Sequence, residues 1–250
     1  FAIESKFLSY SLSEDFEYTN YIGALALNGP SNQFRFLPLT YEDIVSDELN
    51  KQRINREIIL GSGMAAISTS LLSFLGSGDH IVVQNDIYGG TRNLIEKQFT
   101  RYKIEYSFTK GIGIENFENE IKSNTKAIFI ETPSNPLLKI VDIKKIAELS
   151  KNHGLISFID NTFATPLIQR PHNLGIDIVM HSATKYFGGH SDICAGAVAA
   201  STEHIDKIWS LSKNMGGSLS DYTTWLLERS MKTLSVRFFT QQKNAMKLSQ

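Results

Sequence analysis

Gly175-Ile176-Asp177-Ile178-Val179-Met180-His181-Ser182-Ala183-Thr184-Lys185-Tyr186-Phe187-Gly188-Gly189 joins a short apolar run to a single lysine set among hydroxyls and glycines. β-Branched residues cluster beyond the glycine turn, so 175–180 reads as a buried strand, and Lys185 falls just past its carboxyl end. In open α/β sheets that rim is where ligands bind. A lysine held there with Ser182 and Thr184 offers an amine for a carbonyl compound and hydroxyls for an anion.

Outward from this stretch the chain alternates. Apolar runs at 80–84, 104–108, 127–130 and 155–159 read as strands, the last closing at Asp160, and 195–200 continues the pattern beyond the lysine. Helical spacing is expected over 91–101, 115–122 and 143–152, then over 203–213, 222–230 and 236–250. Such βα repetition predicts an α/β fold, a mostly parallel sheet covered by helices on both faces. Ahead of it, Ile58-Ile59-Leu60 leads through Gly61-Ser62-Gly63 into an apolar helix starting near Met64. Free amides at a helix start attract phosphate through their unsatisfied donors and the helix dipole. From Phe1 to Arg56 the pattern is weak and reads as an arm carrying one short helix over 41–52.

With 250 residues, 42% hydrophobic and 20% charged, there is material for one substantial core. A net charge of −1 without a basic run leaves no electrostatic footprint for nucleic acid or an anionic membrane, so a small-molecule partner is expected. Cys194, the one cysteine, excludes an intrachain disulfide and reads as a small buried hydrophobe; a reducing, cytoplasmic setting is the simplest. No apolar run approaches the ~20 residues that span a bilayer. Opening at Phe1, the sequence reads as a fragment or a processed chain.

Each candidate has a bland alternative. Lysines are mostly solvated surface charges, but Tyr186-Phe187 and the Gly188-Gly189 turn predict a restricted, partly apolar site around Lys185. Asp160 is either a turn residue or a carboxylate facing a pyridinium nitrogen. Tyr88 is either a core aromatic or a ring stacked on a cofactor, with Gly89 and Gly90 leaving room. Asn135, between two prolines, shapes a turn or bonds a ring oxygen. His181, His190 and Asp192 lack metal-site spacing, and no metal is expected. Lys185, Asp160 and the helix start at Gly63 together meet three needs of one cofactor, pyridoxal 5'-phosphate.

Ser62-Gly63-Met64-Ala65-Ala66, Tyr88-Gly89-Gly90-Thr91, Glu131-Thr132-Pro133-Ser134-Asn135-Pro136, Asp160-Asn161-Thr162-Phe163-Ala164 and Ser182-Ala183-Thr184-Lys185-Tyr186 with Gly189-His190-Ser191-Asp192 appear in that order. This set closely resembles the Cys/Met-metabolism pyridoxal phosphate enzymes, the group of cystathionine γ-synthase, cystathionine γ- and β-lyases and methionine γ-lyase. The resemblance implies a fold-type I enzyme in which Lys185 carries the cofactor and takes the substrate's α-proton. Asp160, beside Thr162, would pair with the ring nitrogen, and Tyr88 would stack on the ring and take part in catalysis. Ser62, Gly63, Met64, Ser182 and Thr184 would hold the phosphate, and Asn135 would contact the ring hydroxyl. It further implies β- or γ-elimination, or γ-replacement, on an amino acid of sulfur metabolism, a lyase or transferase of transsulfuration, in a homodimer or homotetramer.

Three departures accompany it. The family's amino-terminal Tyr-x-Arg-x-x-Asn-Pro-Thr segment has no match in 1–56, which reads as an atypical arm. The family commonly has an arginine two places beyond the threonine of Tyr88-Gly89-Gly90-Thr91, whereas here Arg92 follows directly and Asn93 comes next. The resemblance makes 57–235 the cofactor-binding large domain and 236–250 the start of an interdomain helix, with the small carboxyl-terminal domain beyond Gln250. A rival reading from another class is a catalytically silent relative kept as a binding or assembly module. A nicotinamide-dependent dehydrogenase is disfavoured, since no G-x-G-x-x-G opens the first helix.

Overall fold

The computed structural model describes residues 56–250 together with the strands Leu25–Leu27 and Phe34–Phe36. Those two, β1 and β2, pair antiparallel. Three-residue strands show too little alternation to stand out in a sequence, and the arm's pattern did not suggest them. The helix expected over 41–52 lies outside the described residues.

Seven strands follow: β3 Arg56–Leu60, β4 His80–Val83, β5 Glu105–Phe108, β6 Thr125–Glu131, β7 Ile156–Asp160, β8 Ile178–His181 and β9 Gly196–Ala200. They form one sheet in the order β3-β9-β8-β7-β6-β4-β5. β5, β4, β6, β7 and β8 run parallel to one another, and β9 runs antiparallel to both β8 and β3. The mostly parallel sheet is therefore as expected, with one reversed strand near its edge.

Period-two side-chain alternation divides the core between the two faces. Ile81, Val83, Ala127, Phe129, Phe158 and Met180 pack on one side with helix α1, Gly63–Leu72. Val82, Ile128, Ile130, Ile159 and Val179 pack on the other. Near-continuous apolar strands are thus the signature of a sheet buried on both faces.

The helix starting at Gly89 runs as α2 Gly89–Asn93, a π-helical stretch Leu94–Phe99 and α3 Thr100–Tyr102. Its Ile95 and Phe99 join the α1 side. α4, Ile114–Glu118, is shorter than expected and packs with α5, Ile143–Asn152, on the opposite face. Asp142 caps α5 by accepting from the Lys145 amide at 3.1 Å, and α5 spans the residues that its spacing predicted. A four-residue turn, α6 Thr165–Ile168, follows β7. Beyond β9 come α7 Thr202–Met215, α8 Asp221–Met231 and α9 Leu234–Leu248. Leu227, Met231 and Leu234 of the last two pack with Ala183, Phe187, Ile193 and Ala195 beneath the lysine segment.

Cys194 corrects an expectation: it is exposed, not buried. Ile193 and Ala195 on either side of it point into the core, so the residue between them points out. Among the described residues no helix is long and apolar enough to cross a membrane.

Candidate functional site

Parallel strands aligned in register bring their carboxyl ends to one rim. Glu131, the last residue of β6, pairs with Asp160, the last of β7, and Asp160 pairs with Met180 of β8, one residue before His181. The loops leaving these strands carry the glutamate-led 131–136 segment, Thr162 and Lys185.

Asp160 is buried, and its Oδ1 accepts two bonds from Thr162, from the amide at 2.9 Å and from the hydroxyl at 2.5 Å. Burial pushes its carboxyl above the ordinary carboxylate range, and the Thr162 bonds oppose that shift. The Thr162 hydroxyl oxygen in turn accepts the Ser182 amide at 2.7 Å. Asp160, Thr162 and Ser182 are therefore one hydrogen-bonded chain from β7 to the segment that holds the lysine.

Ser182 also meets α1. A β-carbon built at Gly63 would lie 2.7 Å from Ser182 Cβ and 2.8 Å from its Oγ, so only glycine lets the helix start approach this hydroxyl. Ser62 caps α1, its hydroxyl accepting from the Ala65 amide at 2.9 Å. The amides of Gly63 and Met64 have no acceptor among the described residues, as expected of the first turn of a helix. Both amides and the Ser182 hydroxyl are thus at one place. Thr184 is turned differently from what its spacing suggests: its hydroxyl donates to the Ala195 carbonyl at 3.1 Å and accepts the Ala195 amide at 3.0 Å.

Lys185 is exposed, and its amine makes no hydrogen bond or ion pair among the described residues. The apolar enclosure expected from Tyr186-Phe187 is not around it, because Phe187 points inward, beneath the segment, where its ring lies 4.8 Å from that of His181. Burial pushes the His181 imidazole down to about 3. Arg237 of α9 fixes the segment from outside, donating to the carbonyls of Tyr186 at 2.9 Å, Phe187 at 3.4 Å and Ser230 at 2.9 Å.

Tyr88 is 45% exposed, which excludes the core-aromatic reading. A β-carbon at Gly90 would collide with the Tyr88 ring and approach Met64 Sδ to 3.1 Å, so this glycine seats the ring beside the start of α1. Arg92 is taken up elsewhere, bonded to Asn85 Oδ1 and Glu96 at 2.8 Å each and lying 4.0 Å over the Phe108 ring. Asn135 lies in a loop in which the Thr132–Pro133 and Asn135–Pro136 bonds are both cis. Its side-chain amide makes no hydrogen bond among the described residues.

Glu131 is the residue that sequence reasoning passed over. Its carboxyl group is buried and accepts the Tyr88 amide at 2.8 Å on one oxygen and the Asn135 amide at 2.7 Å on the other. The signal was the one that singled out Asp160, an acidic residue closing a mostly apolar strand. His181, His190 and Asp192 do not converge, and no group of three potential metal ligands occurs among the described residues.

A seven-stranded sheet with one reversed strand, a glycine-led helix start and a lysine at the carboxyl rim define a fold-type I pyridoxal phosphate protein. The comparisons agree. Residues 45–250 match the family model described as Cys/Met metabolism PLP-dependent enzyme, and the chain belongs to that family. It is 42% identical over 208 residues to cystathionine gamma-synthase/O-acetylhomoserine (thiol)-lyase of Bacillus subtilis, covering 82% of this chain and 56% of the relative. It is 46% identical over 189 residues to the cystathionine gamma-lyase of the same organism, covering 75% and 50%. Among solved structures, metB from Corynebacterium glutamicum superposes with a TM-score of 0.71 at 39% identity, over 73% of this chain and 48% of that one. The chain spans about half the length of the curated relatives it matches. Pyridoxal phosphate is the cofactor of the family.

Proposed function

We propose that this chain carries the cofactor site of an enzyme of transsulfuration, which eliminates or replaces the β- or γ-substituent of a cystathionine-, homoserine ester- or methionine-like amino acid. The hydrogen-bonded chain from Asp160 through Thr162 to Ser182, meeting the α1 start at Gly63, carries this reading. It brings an acid for a ring nitrogen and a seat for a phosphate into one frame with Lys185. The relatives' printed names cover a synthase, a gamma-lyase and a beta-lyase at 42–46% identity, so the proposal spans elimination and replacement. Residues 57–235 form the cofactor domain in this reading, 236–250 begin an interdomain helix, and the setting is a cytoplasmic homo-oligomer.

The residues present fit pyridoxal phosphate. A cradle that a β-carbon would fill lies between Gly63 and Ser182, two amides there lack acceptors, and the Lys185 amine is unpaired among the described residues. Bound there, the cofactor supplies an electron sink for a carbanion next to the substrate nitrogen. Ser62, Gly63, Met64 and Ser182 receive the phosphate, and Thr184 acts by fixing the segment to Ala195. Asp160 Oδ1 is taken by Thr162, which leaves Oδ2 to keep a ring nitrogen protonated. Tyr88 covers one face of the ring and Asn135 bonds its hydroxyl. Lys185 removes the α-proton and returns it further along the substrate.

Protein given pyridoxal phosphate is expected to develop a yellow absorption band that Lys185→Ala abolishes. Identical spectra for the two proteins would sink the cofactor assignment. Release of 2-oxo acid from cystathionine, homocysteine or methionine then tests the reaction class.

A further inference from the structure

Two loops deliver the groups that face the ring. One leaves β4 and carries Tyr88; the other leaves β6 and carries Asn135. Neither is held by strand pairing, yet both side chains must be aimed at one flat molecule. Glu131 joins them. Its Oε2 accepts the Tyr88 amide and its Oε1 the Asn135 amide, at 2.8 and 2.7 Å.

Glu131 is itself fixed. Its amide donates to Gln84 Oε1 at 3.0 Å, and Gln84 Nε2 donates to the Asp86 carbonyl at 2.9 Å, within the same β4 loop. Ser134 donates a very short bond to Asp86 Oδ2, closing the link between the loops a second time. Both oxygens of a carboxyl group can accept an amide, with or without its proton, whereas an amide side chain has one acceptor oxygen and an NH2 that would face an N–H. Retaining an acid in a buried place next to Asp160 is costly, and burial with the Asp160 charge pushes Glu131 up to about 8. The two amides oppose that shift. The charged groups facing it are Asp160 at the end of β7 and Asp86 in the β4 loop.

We infer that Glu131 is a positioning residue that sets the Tyr88 ring and the Asn135 side chain against the cofactor together, through the two oxygens of one carboxyl group. The inference rests on the cofactor reading above.

In the cofactor-free wild-type protein, the amide proton resonances of Tyr88 and Asn135 should move together in one titration step in the region of pH 8. Glu131→Gln should speed hydrogen exchange of at least one of these two amides about tenfold. It should also weaken pyridoxal phosphate binding about tenfold and alter the circular dichroism of the bound cofactor. Binding of inorganic phosphate should be unchanged, because its seat at Gly63 and Ser182 is separate. Glu131→Asp, which keeps both acceptors on a shorter stem, should restore part of the dichroism. Independent titration of the two amides overturns the inference without needing any variant. So does faster exchange with wild-type affinity and dichroism, which would leave Glu131 a purely structural buttress. Failure of the wild type to form a Lys185-dependent band overturns the cofactor reading first, and is told apart by that band alone.

Discussion

At Gly63 a single hydrogen atom decides whether helix and lysine segment can meet. An alanine there would place its β-carbon 2.7 Å from Ser182 Cβ and 3.0 Å from its Cα. Ser182 cannot retreat easily, because its amide is bonded to Thr162 at 2.7 Å. Gly63→Ala is therefore expected to cost about 1–3 kcal/mol of stability, as overpacking does, and to weaken pyridoxal phosphate binding at least tenfold. Thermal melting and a spectroscopic titration check both; unchanged affinity would show that the phosphate is held elsewhere. The places of Lys185, Asp160 and Gly63 in the fold were legible because each stands beside a clear strand or helix end. Thr184 was only half legible, since the sequence placed its hydroxyl near the site but held no sign that Ala195, eleven residues on, would take it up. Glu131 was missed because its importance lies in which backbone amides it reaches, a matter of loop geometry and not of residue type.

The elements around the rim were readable where the apolar period is clear, as in α5. They were not readable where a contact joins distant parts of the chain. Arg237 of α9 holds the Tyr186 and Phe187 carbonyls from some fifty positions away, and also bonds Ser230 and Thr233 Oγ1 at 2.9 and 3.0 Å. Charged donors on carbonyls are worth about 1.5–3 kcal/mol each before solvent is considered, and Arg237 is partly exposed. Arg237→Ala is expected to cost about 2–3 kcal/mol in total and to speed hydrogen exchange in the segment after Lys185. Arg237→Lys should recover little, since an ammonium cannot spread over the same acceptors as a guanidinium. Melting curves for the two variants decide the point, and a lysine variant as stable as the wild type would refute it.

For the molecule as a whole, buried and half-buried ionisable groups set a window of pH. Glu57 and Glu131 keep their protons in the fold up to about 8 but lose them near 4.5 when unfolded. Above 4.5 the folded state thus binds more protons, and the stability they contribute is lost as pH rises through 8. Asp160, also raised by burial, acts in the same direction. His181 and His172 stay neutral in the fold down to about 3 and 4, but take up protons near 6.5 when unfolded. Their effect is a loss of stability as pH falls below 6.5. The two slopes oppose each other between 4.5 and 6.5, so the melting temperature of cofactor-free protein should be highest there and decline on both sides. A melting temperature that climbs steadily from pH 6.5 to 8 would contradict this balance. The sheet class was legible because most strands hold an apolar run bounded by turn residues, while the reversal of β9 left no mark in the residues. That reversal has a consequence for how such chains can vary. Since β8 ends and β9 begins at the same rim, the segment bearing Lys185 is a closed excursion from one edge of the sheet. Residues at its exposed tip, His190 to Asp192, can be gained or lost while every strand keeps its register, whereas the part bearing the amine is pinned by Thr184 to Ala195 and by Arg237.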